Sequence, residues 1–187
     1  FTVEYDVMLQ SAGQPADGYA FSFGTIPNTT ADIINAAFNA GEEGFVAANG
    51  FVVAFDVYDN GGGEAPAIDA KGNNSVVRSI PMNTGAAPGG QWITAANSYP
   101  FDGVLRHVII HWEINTGLDV KITGSGGALV DILVDQPVPG FVPAAGNVFA
   151  WSARTGGLNE TVQLDNVAIT TVPVLPLQTG GPVLSEI

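Results

Sequence analysis

The chain of 187 residues carries 18 acidic against five basic residues, a formal net charge of −13, and no cysteine. Such a charge repels phosphate backbones and anionic headgroups, which sets nucleic acid aside as a partner, and the lack of cysteine removes disulfides, thiolate metal sites and thiol nucleophiles together. Apolar residues make up 46% of the chain, but in short runs broken by Gly, Asn, Asp and Pro, none approaching the roughly 18 residues of a membrane-spanning helix, so membrane insertion is not expected.

The length suits a single folded unit. "FTVEYDVMLQ" (1–10) alternates as a strand does and has no basic stretch leading into an apolar run, so these residues do not read as a signal peptide. Further β-branched and aromatic stretches at 18–24, 50–58, 67–70, 75–80, 104–114, 118–123, 128–134, 147–154 and 161–170 are punctuated by Gly, Asn and Pro. That pattern predicts an all-β, two-sheet antiparallel sandwich. Only 29–41 has helical character, with Ile33, Ile34, Ala37 and Phe38 on one face behind a Thr or Asp cap. In "GVLRHVIIHWEI", Trp112 falls on the core side, while His107 and His111 share the other side across Ile109; without a third convergent ligand they are expected to be structural. Trp92 and Tyr99 read as core before sugar platform. The acids are spread along the chain and read mostly as solvated surface, a minority being available to divalent cations. The tail 172–187, with its prolines and a Gly pair, reads as a linker or edge strand after a domain spanning 1–171.

Residues 55–66, "FDVYDNGGGEAP", end a strand in side-chain oxygen and glycine. Calcium takes six to eight oxygens from a loop able to wrap it. The side chains of Asp56, Asn60 and Glu64 and the main-chain carbonyl of Tyr58 offer such a set, with Gly61 to Gly63 letting the chain curl and Asp59 expected to face solvent. An ordinary hairpin with an Asn-Gly turn accounts for the same residues equally well.

Three segments in order resemble the legume-type (L-type) lectins of the concanavalin A-like superfamily. "VVAFDVYDNGGGEAPAIDAK" is similar to that family's metal-binding segment, with Asp56, Tyr58, Asn60 and Glu64 at the ligand positions; "ADGYAFSF" is similar to its sugar-binding strand, with Asp17 as the acceptor of hydroxyls; and "FAWSARTGGLNETVQLDNVAI" is similar to its recognition loop and closing strand, placing Gly156, Gly157, Leu158 and Asn159 on that loop. The resemblance implies a concanavalin A-like jelly roll, a bound Ca2+, a cis Ala16–Asp17 peptide, and a sugar site built from Asp17, Gly18, Tyr58, Asn60, Gly63, Gly157, Leu158 and Asn159. In that site a carboxylate accepts, an amide does both, Gly63 supplies a main-chain donor and Tyr58 an aromatic surface.

Departures bear on the metal. Where the family has a Glu two residues before the calcium Asp this chain has Ala54, and the family's His some way after the last acid has no counterpart in "APAIDAKGNNS", so calcium alone, or a weaker single site, is expected and no manganese. The family's strands that precede the one matched by 1–10 have no counterpart here, which leaves an edge for the tail, with "GPVLSEI" as a candidate strand, or for a neighbouring chain to fill. Low Lys, high Asn, Gly and Thr and an acidic pI correlate with extracellular bacterial proteins. No E-x-D-x-E run occurs, the arrangement by which glucanases of this fold place an acid and a nucleophile on one strand, and Asp131 and Asp135 read as solvated, so no enzyme is expected. The leading function is a calcium-assisted carbohydrate-binding module, extracellular or at the cell surface. The alternative is a structural subunit of a filament or matrix, a homo-oligomer assembled by strand addition at the N-terminal edge and tail, with calcium only stiffening the loop.

Overall fold

The computed structural model describes residues 1–11, 15–26, 43, 49–82, 103–124 and 126–172. Ten strands run through them in chain order: β1 (Thr2–Gln10), β2 (Gly18–Gly24), β3 (Gly50–Asp56), β4 (Ala67–Gly72), β5 (Ser75–Pro81), β6 (Arg106–Glu113), β7 (Gly117–Thr123), β8 (Leu129–Gln136), β9 (Val148–Arg154) and β10 (Thr161–Thr170). They form two antiparallel five-stranded sheets, a front sheet in the order β5-β4-β3-β2-β9 and a back sheet in the order β10-β1-β6-β7-β8. The expected two-sheet sandwich is the fold. Every predicted strand is present, the boundaries moving by a residue or two. The predicted helix over 29–41, Trp92, Tyr99 and the tail beyond Val172 lie outside the described residues.

Period-two patterning builds the core. Val3, Tyr5, Val7 and Leu9 of β1 face Tyr19, Phe21 and Phe23 of β2 and Phe51, Val53 and Phe55 of β3, all in one cluster between the sheets. Tyr5 of the back sheet meets Trp151 of the front sheet at 5.7 Å, and within the front sheet Tyr19 stacks on Phe55 at 4.4 Å. Near the other end Trp112 packs on Phe1, Phe51 and Phe141, as its position on the core side of β6 predicts. The opposite face of β2 and β3 carries a second, smaller apolar layer of Ala20, Val52 and Ala54. That is why both strands are buried along their whole length.

One expectation is corrected here. β1 is interior to its sheet, paired with β6 on one side and with the last strand, β10, on the other. The N-terminal strand therefore offers no edge to a tail or a second chain, and strand addition there is closed. Pairing with β10 shifts register between Glu4 and Asp6; Asn166, at φ 52°, takes the left-handed turn of that bulge and donates its side-chain amide to Asp6 Oδ2 at 2.7 Å. The two histidines of β6 have separate partners: His107 lies 2.8 Å from Asp6 Oδ1 and His111 2.9 Å from Thr2 Oγ1. The structural role expected of them fits this geometry. On β8, Asp131 is exposed and pairs with Lys121 at 2.7 Å.

Candidate functional site

Sequence-distant segments meet because β2 lies antiparallel to both its neighbours. Gly18, its first residue, pairs with Asp56 at the end of β3 and with Arg154 at the end of β9. The segment before β2, the loop after β3 and the loop after β9 consequently leave the sheet at one end, side by side. Asp17 is clamped there through its own backbone: its N–H donates to the Arg154 carbonyl at 2.9 Å and its carbonyl accepts from the Val57 N–H at 3.1 Å. The Ala16–Asp17 peptide is cis, as the resemblance implies. Gly18 sits at φ +132°, and a Cβ on it would overlap the Phe55 carbonyl oxygen, so the close approach of these strands requires glycine.

The loop after β3 is shaped by its own acids. Asp56 Oδ1 accepts from the Tyr58 N–H at 3.1 Å, and Glu64 Oε1 accepts from the Asn60 N–H at 2.8 Å, closing the loop as its spacing predicts. Asp59 is the organiser that the ligand spacing passed over: its Oδ1 accepts from the N–H groups of Gly61 at 2.8 Å and Gly63 at 3.2 Å. Gly61, Gly62 and Gly63 all have positive φ, which lets the chain turn around that oxygen. The Gly63 N–H, expected to donate to sugar, donates here to Asp59.

Together the three segments wall a cleft of about 550 Å³ lined by Ala16, Asp17, Tyr58, Asn60, Arg154, Gly156, Gly157 and Leu158. Of the residues expected in a sugar site, Asp17, Tyr58, Asn60, Gly157 and Leu158 line it. Gly18 lies beneath as part of the buried strand, while Gly63 and Asn159 are outside the lining. Arg154, within "FAWSARTGG", joins the wall unforeseen. Desolvation raises the pKa of the Asp17 carboxyl; the Arg154 guanidinium opposes the shift and Glu43 adds to it. Behind the cleft, burial pushes Glu160 up to about 7, against a hydrogen bond from the Gly18 backbone and with help from the Asp17 charge.

The four expected calcium ligands divide between two cavities. Tyr58 and Asn60 face the cleft, whereas Asp56 and Glu64 line a separate cavity with Glu43, Asp69, Lys71 and Ser79. Among the described residues no three Asp, Glu or His side chains stand close enough together to hold a metal ion as they are. The donor set nevertheless fits calcium by its chemistry, being oxygen throughout, and an oxygen of buried Asp69 in the second cavity has no partner.

The fold defined by these two sheets is that of the L-type lectins, the concanavalin A-like sandwich. Peanut lectin, solved with a nine-residue peptide, superposes on 90% of this chain and 72% of its own with a TM-score of 0.55 at 17% identity. Winged bean acidic lectin, complexed with methyl-α-D-galactose, covers 89% of this chain and 67% of its own with a TM-score of 0.56 at 18% identity. Lectin I-B4 from Griffonia simplicifolia, in a metal-free form, gives a TM-score of 0.52 at 17% identity over 90% of this chain and 71% of its own. No protein-family model matches the sequence, and no curated protein matches it.

Proposed function

We propose that this chain is a carbohydrate-binding module of lectin type, assisted by calcium and working outside the cell or at its surface. The observation that carries the reading is the convergence of Asp17, Tyr58, Asn60 and the Gly156–Leu158 loop on one open cleft of a lectin sandwich. A neutral sugar presents hydroxyls and a weakly apolar ring face. Asp17 accepts from hydroxyls, Asn60 donates and accepts, Tyr58 and Leu158 supply apolar surface, and the glycine loop lets a sugar approach the backbone. Calcium, held by Asp56, Asn60, Glu64 and the Tyr58 carbonyl, would fix the loop before sugar arrives and so lower the ordering cost of binding.

Binding without turnover suits the cleft. Glycoside hydrolysis employs two carboxyl groups flanking the bond, and among the described residues the cleft wall carries one, Asp17. The oxygens of Glu160 are buried behind it. A glycan array probed with the purified chain tests the reading: wild type is expected to retain a set of neutral glycans that Asp17→Asn loses. An array on which nothing binds, or on which both proteins bind alike, contradicts it.

A further inference from the structure

The cleft holds one of the few cations of a strongly acidic chain. Of its five Lys and Arg residues, four stand elsewhere. Lys71 pairs with Glu43 and Lys121 with Asp131, Arg106 donates to the Thr123 and Gly124 carbonyls, and Arg78 lies on β5, at the other edge of the front sheet from β9. The fifth, Arg154, lines the cleft with Asp17, Tyr58 and Asn60. The register of β9 puts it there. Phe149 and Trp151 pack on the core between the sheets and Ala150 on the opposite layer, so period-two alternation sets Arg154, the last residue of the strand, on the outer face with Ala150. Its carbonyl accepts from the Asp17 N–H at 2.9 Å, which fixes the backbone that carries the guanidinium. The charge is felt at the Asp17 carboxyl without cancelling the effect of burial there, since desolvation outweighs it. A guanidinium carries five N–H donors in a planar fork, and one carboxylate takes two of them. Arg154 can therefore serve a neighbour within the protein and still offer donors to a ligand in the cleft.

We propose that Arg154 makes the cleft selective for acidic glycans: its guanidinium takes the carboxylate of a hexuronic acid residue, while Asp17 and Asn60 take the hydroxyls of the neutral sugar beside it. The inference rests on the carbohydrate-binding reading above and names its ligand class. A planar carboxylate matches the guanidinium fork with two parallel N–H···O bonds, each stronger than a bond between neutral groups. At about 550 Å³ the cleft has room for more than one pyranose ring, so the uronate carboxylate need not crowd the Asp17 carboxylate. The chain as a whole, at a net charge of −13, repels an anionic glycan. A preference for the acidic form cannot arise from diffuse attraction, and a local cation has to supply it.

An array of uronate-bearing oligosaccharides tests it, each printed beside its carboxyl-reduced form and a sulfated neutral counterpart, and probed at physiological ionic strength with CaCl2 present. Wild type is expected to hold the acidic members about tenfold more tightly than their reduced forms, and Arg154→Gln to bring that ratio to about one. Arg154→Lys, which keeps the charge and loses the fork, is expected to retain only a small part of the preference. Asp17→Asn is expected to weaken acidic and reduced forms together and to leave their ratio standing. Equal binding of the two forms by wild type, or an unchanged ratio in Arg154→Gln, overturns this inference and leaves a module for neutral glycans. Tighter binding of the sulfated members than of the uronates overturns the carboxylate assignment. An array on which neither the acidic nor the neutral members are retained removes the carbohydrate-binding reading and this inference with it.

Discussion

Asp17 shows how single side chains here depend on their surroundings. Its backbone is pinned between β3 and β9, so its carboxyl is presented to the cleft without a rotamer search along the main chain. Hydrogen bonds to a charged acceptor contribute about 1.5–3 kcal/mol, so Asp17→Asn is expected to weaken glycan binding by roughly ten- to a hundredfold, read by calorimetry, with the melting temperature little changed. Glu160 makes a prediction of opposite kind. Its folded-state pKa of about 7 lies above the ordinary 4.5, so between those values the folded protein holds more proton than the unfolded one, and stability contributed by this group declines as pH rises from 4.5 to 7. Glu160→Gln is therefore expected to match wild type in melting temperature near pH 4.5 and to exceed it at pH 8; a gap that does not grow with pH contradicts the assignment. Asp17 and Asn60 could be found from the sequence because each sits in a local motif. Asp69 and Glu160 could not, since what sets them apart is burial beside residues from other strands.

At the scale of elements, the strands were legible because nearly every one alternates or is bounded by turn residues. Their pairing was less so. The end of β10 returning to β1 is a contact between opposite ends of the chain, invisible to any local pattern, and it turned an expected open edge into an interior strand. The loop after β3 was likewise half read: its acids were recognised, but Asp59 took the glycine N–H groups, since an Asx oxygen close in sequence reaches a turn's donors before a distant ligand does. Gly18 is the element-scale test. With φ +132° and the Phe55 carbonyl where a Cβ would go, Gly18→Ala strains the backbone and pushes β2 from β3, at a cost of about 2 kcal/mol or more. Urea denaturation measures this, and a midpoint equal to wild type contradicts the packing described.

Over the whole molecule, the aromatic core holds two sheets together and leaves one end of the front sheet to three chain segments. A surface of net charge −13 favours cation binding generally, so specific and diffuse effects of calcium must be separated. A specific ion at a hundred times its dissociation constant contributes about 2.7 kcal/mol, which for a domain of this size raises the melting temperature by about 5–10 °C. Magnesium at equal ionic strength serves as the control, since its small octahedral shell resists dehydration; equal shifts from both ions point to diffuse charge neutralisation alone. The most direct measurement of the central claim is the affinity for the best array glycan before chelation, after chelation, and after calcium is restored. The account predicts binding that falls at least tenfold with chelator and returns in full with Ca2+; binding indifferent to chelator contradicts it.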